Sequence, residues 1–229
     1  MIHEETLIRK YDRFIREIVN NSVATIDWDK LETREMMFNV KIQELFKFDN
    51  PMSWSFLTAS LDVIGDSQYA IVSFINEKIG NGNTFNTGER YLRLYGVLSA
   101  VYIHFRAIST IAELVKVKDY LLEKSFKKLD ISFLRNAISA HPVNYEINGE
   151  KTNYKIARYS VEDTNKIIII DSQNNSTQYD IQEALNTYLI FAEKALNTSI
   201  KKLIRNRFGN SKDNENELLD KLKVINSSN

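Results

Sequence analysis

Apolar side chains recur at three- and four-residue intervals along most of this chain, the spacing of one face of an α-helix. Over residues 3–20 the stripe is Leu7, Tyr11, Phe14, Ile15 and Ile18, and Asn20-Asn21-Ser22 is expected to end it. A second helix is expected from about Trp28 to Phe48, with Asp27 as N-cap and Leu31, Phe38, Ile42, Leu45 and Phe46 on its apolar side. Asn50-Pro51 predicts the start of a third, running to about Ile79. Asparagine caps, and proline fits the first helical position, where a missing N–H costs nothing. Gly65 weakens that helix by ~1 kcal/mol against Ala and marks a close packing or a kink.

Gly80-Asn81-Gly82-Asn83 reads as a loop, after which Thr87 is expected to cap a helix over about 88–116. Tyr91, Leu94, Tyr95, Leu98, Tyr102 and Phe105 make that segment apolar over more than one face, which suits a central helix or one at a subunit interface. A shorter helix is expected over about 118–128, then one from Ile131 to about Ala140 with Asp130 as cap. The pattern changes over 151–173, where Tyr154–Tyr159 and the run Ile167–Ile170 flank the polar turn Asp163-Thr164-Asn165. β-branched residues on both sides of such a turn predict a β-hairpin near 154–171. Helical spacing returns at Asp180, whose Asp-x-x-Glu arrangement with Glu183 resembles a capping box, and continues to about Asn206. The expected fold is mainly α: one helical-bundle domain over 1–208 with a β-hairpin insertion about 151–173. Residues 209–229 are expected to form a weakly helical tail whose last four residues fray.

Composition supports a globular helical chain. Of 229 residues, 43% are hydrophobic and 26% charged, with only seven Gly and two Pro to interrupt helices. There is no Cys, so neither a disulfide framework nor a thiolate metal site can form, and a cytoplasmic location is expected. The start, Met-Ile-His-Glu-Glu, is acidic and unlike a signal peptide, and no apolar run is expected to reach the roughly 20 residues of a membrane span. Thirty Lys and Arg balance thirty Asp and Glu, so no global field draws in nucleic acid or membrane. Two basic clusters, Lys124/Lys127/Lys128 and Lys201/Lys202/Arg205/Arg207, read first as solvated helix faces and second as binding patches.

The chemistry-bearing residues are few. His3 sits at the chain start, and His104, on the long helix, reads as a packed, hydrogen-bonded core residue. With three separated His and no Cys there is no metal-ligand spacing, and no glycine-rich phosphate loop, so no cofactor is expected. His141 has a different context. It precedes Pro142, which disfavours the α conformation, so the helix carrying Arg135 should end at or before it. A helix C-terminus favours imidazolium and moves a histidine toward the range useful for proton transfer. Arg135 and His141 are therefore candidate catalytic residues: a guanidinium fork suits phosphate, and a histidine near neutrality suits proton shuttling.

The segment Arg135-Asn136-Ala137-Ile138-Ser139-Ala140-His141 resembles the motif of the HEPN superfamily, helical-bundle proteins with Arg, four to six residues, then His at a helix end, often with a polar residue directly after the Arg. Many members are metal-independent endoribonucleases. The resemblance implies RNA as substrate, His141 moving protons around the 2′-hydroxyl and leaving oxygen, Arg135 stabilising phosphate charge, and Asn136 orienting groups nearby. It implies a homodimer, action as a toxin or defence factor, and a nucleotidyltransferase or antitoxin as partner. Some members carry a Tyr two residues after the His. Here Tyr145 follows by four, and it is the candidate substrate-binding residue.

Other readings stand beside this one. Arg135 could pair with an acidic neighbour while His141 hydrogen-bonds the last helix carbonyls. The protein would then be a non-catalytic helical module that dimerises or binds a protein or small ligand. A third reading is a nucleotide-binding domain that uses Arg135 to hold phosphate.

Overall fold

The computed structural model describes residues 5–27, 34–77, 79, 85–140, 142–147, 149–163 and 166–227. His3, His141, the Trp28 start of the second helix with Leu31, the Gly80–Asn83 loop and Thr164-Asn165 lie outside the described residues. The described chain is mainly helical, with a small antiparallel β region between its helices. It divides into two compact units, one made of Met1–Gly65, Arg106–Leu122 and Ala192–Asn229, the other of Asp66–Phe105 and Glu123–Phe191. The four divisions fall inside helices: α3 (Ser53–Glu77), α4 (Thr87–Leu114), α5 (Asp119–Phe126) and α8 (Ile181–Phe208).

In the first unit, α1 (Leu7–Val23) buries Ile8, Tyr11, Ile15 and Ile18, the stripe that its spacing predicts. Thr6 caps it, its side chain accepting from Arg9 N at 3.4 Å. Asn20-Asn21-Ser22 does not end the helix. Ser22 Oγ donates to Ile18 O at 2.8 Å, so its hydroxyl is satisfied within the helical turn. α2 (Arg34–Phe46) contributes Ile42 and Phe46 to the core. Asn50 starts α3 with its side chain accepting from Met52 N at 2.8 Å, while Pro51 and Met52 form a turn just outside the helix.

α2 and α4 end by the same device. Lys47 and Lys116 take positive φ of 57° and 63°, and the next residue's N–H reaches back to Gln43 O at 3.0 Å and Ala112 O at 2.8 Å. The expected weak tail is instead a docked helix, α9 (Lys212–Ser227). It buries Leu222, and Asn226 Oδ1 accepts from Tyr11 Oη at 2.5 Å and from Asn197 Nδ2 at 2.9 Å. Gly209 makes the bend between α8 and α9. Its N–H donates to Arg205 O at 2.9 Å, and a Cβ there would sit 2.6 Å from that same oxygen, so the position has no room for a side chain.

In the second unit, α4 begins one residue from the expected cap. Asn86, not Thr87, makes a reciprocal box with Glu89: Asn86 Oδ1 accepts from Glu89 N at 3.0 Å and Glu89 Oε2 accepts from Asn86 N at 2.8 Å. By length and composition α4 could cross a membrane, contrary to the expectation from the sequence, because Arg106 alone interrupts its apolar stretch. Within the protein, 61% of that stretch is buried. After α5 (Asp119–Phe126), the short α6 (Asp130–Leu134) starts with Asp130 inside its first turn and Leu129 at the cap. A carboxylate in a first turn still complements the helix dipole. Residues Arg135–Ala140 then continue as a π-helical turn.

The hairpin expected near 154–171 is present: β3 (Tyr154–Ile156) pairs antiparallel with β4 (Lys166–Asp171), with the four-residue α7 (Ser160–Asp163) between them. It is larger than expected, because β5 (Ser176–Asp180) adds to the other side of β4. Asp171 holds the β4–β5 turn. Its carboxylate accepts from Asn175 Nδ2 and from the backbone N–H groups of Asn175 and Gln173, and these bonds hold its pKa below the usual range. A separate two-stranded hairpin, β1 (Tyr145–Ile147) with β2 (Glu150–Thr152), precedes the sheet, and Gly149 in its connection has φ 86°. Asp180 then caps α8, its Oδ1 accepting from Gln182 N and Glu183 N at 2.9 and 3.1 Å.

Candidate functional site

Arg135 opens the π-helical turn, and two neutral groups fix its guanidinium. Nη1 donates to Asn136 Oδ1 at 2.9 Å, and Cζ lies 3.9 Å from the centroid of the Tyr102 ring on α4. A planar cation over an aromatic face is attracted by the ring quadrupole and held flat. Arg135, Asn136 and Tyr102 are each half-buried. Among the described residues no carboxylate pairs with Arg135. A partly desolvated cation without a counterion retains strong attraction for an anion, and the fork keeps N–H groups to donate. Asn136 spends its amide oxygen on Arg135, which leaves the NH2 end as its donor.

The π turn itself sets the backbone here. Its hydrogen bonds close over five residues instead of four, a form found mostly as single turns and often at functional sites. Ser139 Oγ donates to Arg135 O at 3.0 Å. Ala137 and Ile138 are buried and anchor the turn, while Ser139 on its other side is exposed.

Tyr145 lies on β1 in an aromatic group with Phe133 of α6, Tyr154 of β3 and Tyr179 of β5. Its ring is 6.2 Å from Phe133 and 5.4 Å from Tyr154, both edge-on, and Phe133 is 5.2 Å from Tyr154 and 5.5 Å from Tyr179. Burial raises the hydroxyl pKa of Tyr154 and of Tyr179, with smaller contributions from Tyr145 and Asp171 at the first and from Asp130 and Tyr154 at the second. Tyr154 N donates to Pro142 O at 2.7 Å, which ties β3 to the segment directly after residue 141. The structure thus brings Arg135 and Asn136 together and places Tyr145 among aromatic rings. Among the described residues Tyr145 makes no hydrogen bond to either of them. Tyr102 was not foreseen, since it is far from the motif in sequence and belongs to a helix whose aromatic residues all read as core.

His104 is fully buried, as expected for a core histidine. Nδ1 is 2.6 Å from Tyr188 Oη, and Phe126 packs edge-on to Tyr188. Burial lowers its pKa to about 3. Of the basic residues, Lys127 pairs with Glu123 at 3.1 Å, and Lys124 and Lys128 are exposed, which fits a solvated face. Among the described residues no group of three or more His, Asp or Glu could hold a metal ion. No known protein-family model, curated protein or solved structure matches this chain.

Proposed function

We propose that this chain is a HEPN-like endoribonuclease that needs no metal and acts as a toxin or defence factor in the cytoplasm. The observation that carries the proposal is the Arg135 guanidinium: half-buried, stacked on Tyr102, steadied by Asn136, and unpaired with any carboxylate among the described residues. That arrangement argues against a structural ion pair at this position and suits a phosphodiester, whose charge grows in the transition state. In this reading Arg135 holds the scissile phosphate and Asn136 keeps the guanidinium in plane. His141, assigned from the sequence motif alone, takes the 2′-hydroxyl proton and returns one to the leaving oxygen. Tyr145 and its aromatic neighbours offer faces to unpaired bases next to the cleaved bond. The active form is a homodimer, and an antitoxin or a nucleotidyltransferase is its partner.

A second reading, a non-catalytic dimerisation or ligand-binding module, draws on the exposed apolar positions of α4. Leu92 is 72% exposed and Ile103 48%, with Tyr95 between them. RNA cleavage in the presence of EDTA separates the two. The wild-type protein is expected to cleave single-stranded RNA with chelator present, and Arg135→Ala and His141→Ala are each expected to abolish cleavage while keeping the helical circular dichroism signal. Wild-type protein that cleaves no RNA, or His141 variants that unfold, would establish the module reading instead.

A further inference from the structure

The basic cluster read from the sequence as a stripe on one helix acquires a second wall in the fold. Lys201 and Arg205 stand one turn apart on α8, while Arg207 points elsewhere, its Nε donating to Ser22 Oγ at 3.1 Å. Across from Lys201 and Arg205, α9 supplies Lys223, and together they line a cavity of about 490 Å³. Leu219 and Leu222 line it as well, with Asn216 and Asn226 at its sides. Because Asn226 Oδ1 is occupied by Tyr11 and Asn197, only its NH2 group remains to bind anything in the groove.

Two carboxylates offset these cations in part. Asp220, which also lines the cavity, pairs with Lys223 at 2.8 Å, an exposed pair that leaves the ammonium N–H groups for a phosphate. Glu215 sits 3.8 Å from Arg205 but closer to Lys212, at 3.3 Å. Lys201 has no ion pair among the described residues. The α9 residues that line the groove run from Asn216 to Asn226, a length of about 15 Å at helical rise. One phosphate would fill only part of it, whereas a short run of consecutive phosphates of one strand spans it. A cavity of about 490 Å³ spread along two helices is far narrower than a duplex, so it suits one strand.

We infer that the α8–α9 groove binds the phosphate backbone of a single-stranded nucleic acid, through Lys201, Arg205, Lys223 and the Asn226 amide. The site belongs to the first unit and does not depend on Arg135. Because the chain has a formal net charge of zero, a local groove is the means by which it can hold a polyanion at all.

The test is fluorescence anisotropy with a labelled 2′-O-methyl oligouridine of about twelve nucleotides, which cannot be cut at a 2′-hydroxyl, titrated at several salt concentrations. Wild-type, Lys201→Ala/Lys223→Ala and Arg135→Ala proteins are compared. Both lysines are exposed, so their loss should leave the fold intact. The double variant is expected to bind at least tenfold more weakly, with the slope of log affinity against log salt reduced by about 1.4, at about 0.7 per lost contact. Arg135→Ala should keep most of the slope, which separates this groove from the proposed catalytic site. Equal slopes for wild type and the double variant, or no binding by the wild type, would overturn the inference. So would equally effective competition by polyglutamate, which would identify an acidic polypeptide as the occupant.

Discussion

His104 Nδ1 and Tyr188 Oη stand 2.6 Å apart in the core of the second unit, and Nε2 of the same ring has no hydrogen-bond partner among the described residues. One bond therefore carries the polar content of two buried aromatic groups. Tyr188→Phe removes that bond and is expected to cost about 1–3 kcal/mol in urea denaturation at neutral pH.

Acid should expose the same histidine. Its folded pKa is about 3 against 6.5 for the free group, so the unfolded chain binds the proton first as pH falls. Stability from this site is complete above pH 6.5 and is lost on the way down to about 3, at about 1.4 kcal/mol per pH unit within the window. Denaturation of wild type and His104→Leu between pH 6 and pH 4 checks this. The wild type should show the steeper decline by that amount, and equal slopes would mean that His104 titrates normally in the fold.

The stack of Arg135 on Tyr102 makes its own prediction about rate. Tyr102→Phe retains the aromatic face and should cleave RNA like the wild type. Tyr102→Leu loses an interaction worth about 0.5–2 kcal/mol and should cleave roughly 2- to 30-fold more slowly. Arg135→Lys should be nearly inactive, since an ammonium offers neither the fork nor the plane. The Arg135→Ala/His141→Ala double variant should be no worse than either single one, as for residues that act as a unit. Single-turnover cleavage rates report all four.

Docking of α9 can be tested through its buried leucine. Leu222→Ala is expected to destabilise the protein by about 2–5 kcal/mol, while the more exposed Leu219→Ala costs less. Urea midpoints measure both. Equal, small effects would mean that α9 contributes nothing to the first unit's core.

The exposed positions Leu92, Tyr95 and Ile103 fall on one side of α4, with Gly96 and Ser99 also exposed between them. If this face joins two copies of the chain, Leu92→Glu/Ile103→Glu should weaken association at least tenfold, about 1.4 kcal/mol or more. Light scattering at micromolar concentration should give a dimer mass for the wild type and a monomer mass for the variant. A monomeric wild type removes the dimer from the proposal.

Much of the helical plan was legible because burial and spacing agree: the α1 stripe, the Asn50 start and the Asp180 cap all follow from local patterns. The α4 cap moved by one residue because Asn86 and Thr87 are both competent, and Glu89 sits three residues after Asn86, where it can close the box. The β region was only partly visible. β4 announces itself through four isoleucines, but β5 reads Ser-Thr-Gln-Tyr-Asp, a polar edge strand with little apolar signal. The β1–β2 hairpin does carry a local signal: Asn148-Gly149 is a favoured two-residue turn sequence, and Gly149 has the positive φ such turns require. At the candidate site, the adjacency of Arg135 and Asn136 is local and could be read. Tyr102 comes to Arg135 only through tertiary packing, which no spacing rule along one helix reports.

The π turn at Arg135–Ala140 contains no glycine or proline, so nothing in its composition marks the change from α6. Its wider rings amount to one residue more than an α-helical path would use. The wider turn takes up that residue with less rotation per residue than an α-helix, so the chain on either side keeps nearly the register it would have without it. A one-residue deletion on the exposed side, at Ser139, would let the segment close as ordinary helix, and what it would lose is the backbone setting that presents Arg135 and Asn136.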